Sequence, residues 1–274
     1  MIEQSIIHFH IPKTAGSTIS SILSPCFTPE ELFYCGSNFT GLNHFESNVY
    51  FANLPDAEKV KYKFISGHVE YMLLQSFPAP HFSITIIRNP FDRMISMYHY
   101  ILRTETHHLH RTLHDDRVSL AGFMDGGFWH EIDNGMCRRL SGVCAQVPYG
   151  ECSREVFELA RFNLANNLSF VGLQERFDES LFLLLYLLGA LDRLDYTRTN
   201  VNPFRKKPQG ISPADRAAVL RRNAWDIELY AFARELYNQR HGSLIAKLQR
   251  PIQKFRHAMA LKDGGATASA QSGS

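Results

Sequence analysis

Apolar positions along the chain switch repeatedly between a two-residue and a helical period, and their order lays out strands followed by helices. Ser5 to Ile11 (SIIHFHI) mixes β-branched and aromatic residues and stops at Pro12, which predicts a buried strand ending at a loop. Thr14 to Leu23 is small and polar, with Ile19, Ile22 and Leu23 on one helical side, so a helix follows that loop. Lys63 to Ser66 (KFIS) before Gly67-His68, and Ser83 to Ile87 (SITII) before Arg88-Asn89-Pro90, read as two further buried parallel strands. Asn89 is placed to cap a helix with Pro90 at its first position. Along that helix Met94, Ile95, Met97, Tyr98, Ile101 and Leu102 recur at helical spacing. Arg103 to Ser119 is polar, histidine-rich and aperiodic, an insertion expected over one end of the sheet.

The alternation continues in the second half. Val156, Leu159, Ala160 and Leu164 mark an amphipathic helix, and Leu168 to Leu173 (LSFVGL) a strand. Ser180 to Leu191 is a helix apolar nearly all round, yet too short for a membrane. Asn200 to Gly210 is a basic loop, Ser212-Pro213 opens another helix, and Trp225, Leu229, Phe232 and Leu236 line one side of a later one. The pattern predicts an α/β fold, a central parallel sheet flanked by helices, in one domain over residues 1–261. The small, polar residues 262–274 are expected to form a disordered tail.

Composition narrows the function classes. Apolar residues make up 45% and charged residues 20% of the 274, ordinary globular values, and no apolar run is long enough to span a membrane. The N-terminus opens almost directly into a strand without a basic and apolar leader, so a soluble, cytoplasmic chain is expected. A formal net charge of +2 argues against a nucleic-acid partner, and anion binding must come from locally placed cations. Cys26, Cys35, Cys137, Cys144 and Cys152 contain no C-x-x-C pair; free buried thiols are expected, with one bridge in the Cys137 to Cys152 cluster as the alternative. His107, His108, His110 and His114 lack the i, i+4 histidine pair with carboxylate of helical metal sites, so a solvated loop is expected and no metal.

Two strand-to-helix junctions carry candidate chemistry. Lys13, Thr14, Ala15, Gly16, Ser17 and Thr18 can present backbone N–H groups, hydroxyls and one ammonium to a single anion, with Gly16 allowing close approach. Taken alone, the segment is equally a capped helix start with an exposed lysine. It is not a Walker A loop, because the lysine precedes the glycine, which weakens an ATP reading. At the second junction Arg88 ends a strand and Ser96 follows two turns into the helix, so both can reach one phosphate at the strands' carboxyl edge. Arg88 alone could instead cap the helix or pair with Asp92.

His10 to Thr18 (HIPKTAGST), Gly67-His68, and Ile87 to Ser96 (IRNPFDRMIS) together resemble the signature segments of the carbohydrate sulfotransferase family, nearest its uronyl and heparan sulfate 2-O-sulfotransferase branch. Phe162-Asn163-Leu164, Val171 to Arg176 (VGLQER) and Trp225-Asp226 onward to Tyr237 continue the resemblance in the same order, over roughly residues 8 to 240. The resemblance implies a P-loop-kinase-like sulfotransferase fold and 3′-phosphoadenosine 5′-phosphosulfate (PAPS) as donor, leaving as 3′,5′-adenosine bisphosphate. It implies that Lys13 to Thr18 hold the 5′-phosphosulfate, with Lys13 on the bridging oxygen or leaving phosphate, and that Arg88 and Ser96 hold the 3′-phosphate. Arg205, Lys206 and Lys207 fall where such enzymes close over the nucleotide, although the run reads equally as a solvated charge cluster. His68 matches the catalytic base, a role a neutral imidazole can fill toward a hydroxyl.

One departure bears on the acceptor: some members of the branch carry a second histidine two residues before the base, where this chain has Ser66. The family's Golgi members also begin with an anchor and stem, which again points to a soluble relative. The expected acceptor is a hydroxyl of a glycan sugar or of a small-molecule alcohol. The rivals are an ATP-dependent small-molecule kinase and a nucleotide-binding module without catalysis.

Overall fold

The computed structural model describes residues 2, 4–36, 41–143, 146–193 and 211–271. The expected β-branched runs form strands β1 (Ser5–His8), β3 (Phe64–Gly67), β4 (His81–Ile87) and β5 (Phe170–Leu173), joined by β2 (Leu32–Cys35). They pair in parallel in the order β2-β3-β1-β4-β5. Residues of both faces are buried on β1, as a sheet covered on both sides requires. The sequence pattern missed β2, because Leu32 to Cys35 (LFYC) is four residues long and has no β-branched side chain.

Parallel pairing forces crossovers, and helices supply them. The main helices are α1 (Gly16–Leu23), α2 (His44–Asn53), α3 (Tyr71–Ser76), α4 (Pro90–Arg103), α5 (Gly135–Ser141), α6 (Arg154–Asn166), α7 (Phe177–Leu187), α8 (Pro213–Arg222) and α9 (Ala224–Gln271), with other short helical segments, Leu120–Asp125 among them, between some of these. The two N-caps expected from the sequence form: the Asn89 side chain accepts from Phe91 N at 3.0 Å, and Ser212 and Asp215 make a reciprocal capping box. The stretch from Arg103 to Ser119 is less irregular than expected, since His110–His114 is helical. On α6 Leu159 is 42% exposed rather than in the buried stripe, and Phe157 and Asn163 are buried with Val156, Ala160 and Leu164. Helix α9 continues to Gln271, through much of the stretch expected to be a tail.

The main core fills both faces of the sheet, drawing on Ile6, Ile7, Ile65, Ile86 and Val171 from the strands and on Ile19, Leu23, Leu181 and Leu184 from helices. A smaller cluster packs α4 and α8 with Phe123 and Ile132. Among the described residues no helix is long and apolar enough to cross a membrane. From β1 the chain crosses to the edge strand β2, returns to β3 beside β1, and then passes to β4 and β5 on the other side. The connections leaving the neighbours β1 and β3 therefore run in opposite directions, and the topological switch point, where open α/β sheets leave a crevice, lies at their carboxyl ends.

Candidate active site

Because β1, β3 and β4 are parallel neighbours, their carboxyl ends deliver Lys13, His68 and Arg88 to one edge of the sheet. Lys13 and Ala15 both have φ of 68°, a left-handed conformation that costs a non-glycine residue about 1 kcal/mol or more. Left-handed residues in a short loop turn neighbouring N–H groups toward one concave side, the geometry of an anion nest. Among the described residues the N–H groups of Lys13 through Ser17 make no hydrogen bond, whereas Thr18 and Ile19 already donate to Ala15 O. The loop is held from behind: Thr14 Oγ1 donates to Ile11 O at 2.8 Å, Arg88 Nη1 to Lys13 O at 2.9 Å and Arg93 Nε to Pro12 O at 3.1 Å. The buried Thr14 hydroxyl thus braces the loop, while Ser17 is exposed.

Cations gather around this nest. The Lys13 ammonium lies 3.9 Å from the centre of the Tyr100 ring. Burial first, then the charges of Arg88 and Arg103, bring its pKa down to about 8. Three positive groups that raise one another's cost beside unpaired N–H donors make a site complementary to a phosphate or sulfate. Ser96 is half-buried on α4, three residues after Arg93 and four before Tyr100, so it shares the helix face from which both touch the loop. Arg205, Lys206 and Lys207 lie outside the described residues.

On the β3 side the backbone turns sharply. Gly67 has φ of +102°, and a Cβ there would fall 2.5 Å from Cys35 O, so glycine is required. The turn places the His68 ring against His10, with centroids 5.2 Å apart, and edge-on to His44 at 4.4 Å. His68 Nδ1 lies 3.4 Å from His10 O, and a carbonyl only accepts, so Nδ1 carries the hydrogen and Nε2 keeps the lone pair. Burial and then Arg139, His10 and His44 push the His68 pKa well below the usual 6.5, so the ring is neutral near pH 7. His10 is lowered to about 4, by burial first and then by Arg139, Lys13 and His44. Ser66, two positions before His68, has its hydroxyl 2.9 Å from His8 Nδ1 and 2.8 Å from Ser20 Oγ.

A buried ion network supports both halves. Arg93 pairs with Glu131, and Arg139 Nε donates to the other Glu131 oxygen at 2.6 Å. Arg139 also lies 3.6 Å from Glu70. Asp226 accepts from Met136 N and Cys137 N at 3.0 and 2.8 Å and lies 3.8 Å from Arg93. Sequence pattern singled out neither Glu131 nor Arg139, and Arg93 only as part of the Ile87 to Ser96 segment, since a buried ion pair leaves no periodic signal. The histidine-rich insertion reaches this edge too: His107 stacks on His108, meets Tyr100 and Trp129 edge-on, and is lowered to about 4, partly by Lys13. Among the described residues no group of three His, Cys, Asp or Glu could hold a metal ion. Cys35 and Cys137 are buried free thiols, and Cys144 lies outside the described residues.

The model of the sulfotransferase family matches residues 2–233. Heparan sulfate 2-O-sulfotransferase 1 of Gallus gallus is 24% identical over 191 residues, covering 65% of this chain and 53% of that protein. The Homo sapiens protein of that name matches with the same identity and coverage, 24% over 191 residues, 65% and 53%. The Cricetulus griseus protein is 23% identical over 253 residues, covering 85% of this chain and 70% of its own length. The chain thus spans about half the length of the first two relatives.

Proposed function

Because the chain belongs to the sulfotransferase family, we propose that it transfers a sulfuryl group from PAPS to a hydroxyl of a sugar unit in a glycan. The observation that carries the reading is the meeting, at one sheet edge, of an anion nest ringed by Lys13, Arg88 and Arg103 with a neutral imidazole whose Nε2 is available. The free N–H groups and cations of that edge fit an anionic donor. Lys13 to Thr18 would hold the 5′-phosphosulfate, with Arg88 and Ser96 on the 3′-phosphate. The donor supplies the sulfuryl group and a phosphate leaving group. The glycan acceptor follows the relatives' names, which specify heparan sulfate.

The chemistry then divides among the chain's own residues. His68 Nε2 takes the proton of the acceptor hydroxyl as its oxygen forms a bond to sulfur and the bond from sulfur to the bridging oxygen breaks. Lys13 and the loop N–H groups receive the charge left on the phosphate, in the manner of an oxyanion site. Each part has a distinct failure. Lys13→Ala should lower kcat by roughly 10²–10³-fold, the usual cost of losing one such donor.

The deciding experiment pairs transfer of labelled sulfate from PAPS to a glycan panel with calorimetric binding of 3′,5′-adenosine bisphosphate and of ATP with magnesium. Sulfated glycan and tight bisphosphate binding are expected. Tight ATP binding without any for the bisphosphate would instead identify a kinase, as would phosphate transfer to the acceptor.

A further inference from the structure

We propose that His10 is a positioning residue linking the donor loop to the base: it holds His68 in the tautomer and orientation that deprotonate the acceptor. The inference rests on the reading of His68 as base and adds a residue to that machinery. His10 touches both halves of the site. Its carbonyl takes the His68 Nδ1 hydrogen at 3.4 Å, its ring stacks on that of His68 at 5.2 Å, and its N–H donates to Gly67 O at 3.3 Å. Toward the donor loop, a Cβ added to Gly16 would fall 1.9 Å from Cδ2 of His10, so the imidazole lies directly against the first residue of α1.

The far end of the stack is tied to the same helix. His8 stacks on His10 at 5.5 Å, and its Nδ1 lies 3.2 Å from Ser20 Oγ, on α1, and 2.9 Å from Ser66 Oγ, on β3. An anion drawn to the Gly16 and Ser17 N–H groups acts on the segment that confines the His10 ring, and through it on His68. The groups facing the two rings are His8 on β1, Lys13 in the loop, His44 on α2 and Arg139 on α5, with Glu70 beside Arg139. Their charges and burial keep His10 unprotonated until about pH 4, so it does not compete for the acceptor proton.

The test compares His10→Ala, which removes the ring, with His10→Phe, which keeps a flat ring without nitrogen; both retain the carbonyl. His10→Ala should lower kcat by roughly ten- to a hundredfold with the KM for PAPS changed by less than about threefold, and His10→Phe should restore most of kcat. The ¹⁵N spectrum of histidine-labelled protein should show the Nδ1–H tautomer of His68 in the parent and in His10→Phe, and a mixture in His10→Ala. Adding 3′,5′-adenosine bisphosphate should shift the His68 signals in the first two and not in the third. Gly16→Ala should disturb the His68 signals as His10→Ala does. A folded His10→Ala protein with parental kcat and an unchanged His68 tautomer would overturn the inference. So would loss of activity in both variants with the tautomer intact. If the parent neither binds the bisphosphate nor transfers sulfate, the proposed function falls, while the tautomer comparison still decides the positioning claim.

Discussion

At the scale of single residues, Lys13 stands out because its surroundings resist its charge. Burial, Arg88 and Arg103 bring its pKa to about 8, and the Tyr100 face gives the ammonium its nearest favourable contact. An arriving phosphate reverses that balance, so the anion and the proton on Lys13 bind together. In the proposed site the charged lysine would hold the anion and the neutral one would not. The association constant for 3′,5′-adenosine bisphosphate should therefore be level below pH 8 and fall above it, approaching a tenfold loss per pH unit. Lys13→Arg, whose guanidinium stays charged, should remove that fall while keeping binding measurable by calorimetry. A profile that falls equally in both proteins would place the titrating group elsewhere. His68 follows the opposite sign: its lowered pKa keeps the ring neutral, the form the proposed base needs, from pH 7 down to well below 6.5.

At the scale of elements, the site depends on a scaffold of buried charge. Glu131 is 2% exposed and accepts from both Arg93 and Arg139; the first holds the loop through Pro12 O, and the second faces the histidines. Glu131→Ala leaves two buried guanidinium groups without their shared counter-charge, and loss of one partner of such a pair typically costs about 3–5 kcal/mol. Urea unfolding should show a loss of that order, and a loss under about 1 kcal/mol would mean that solvent reaches the arginines. Lys13 and Arg88 were legible as anion-site candidates at strand-to-helix junctions, whereas His68 was legible only through the family resemblance. Glu131 was not, since it lies in a short 3₁₀ turn between longer elements and pairs with Arg93 on a distant helix. The short strand β2 escaped for lack of β-branched residues, yet its Cys35 carbonyl is what demands a glycine at position 67. Backbone placement could be read from periodicity, and side-chain pairing across the fold could not.

At the scale of the whole molecule, the stack of neutral imidazoles ties stability to pH. His8 and His68 are held well below 6.5, mainly by burial, and His10 is held at about 4. In the unfolded chain these histidines protonate near pH 6.5. Between pH 6.5 and 4 the unfolded state therefore binds more protons than the folded one, and unfolding free energy must rise with pH across that window. The contribution is fully present above 6.5 and is lost as the pH falls. For His10 alone, linkage gives a loss of about 2 kcal/mol on going from pH 7 to 5, and His8 and His68 add with the same sign. Asp226, whose carboxyl burial pushes up, acts with the opposite sign near its own titration. Urea unfolding at pH 7 and pH 5 should show the loss directly, and His10→Phe, which has nothing to protonate, should lose less. Equal stability of the parent at both pH values would show that water and protons reach the stack, which would rule out the proposed neutral imidazole held dry beside the Lys13 loop.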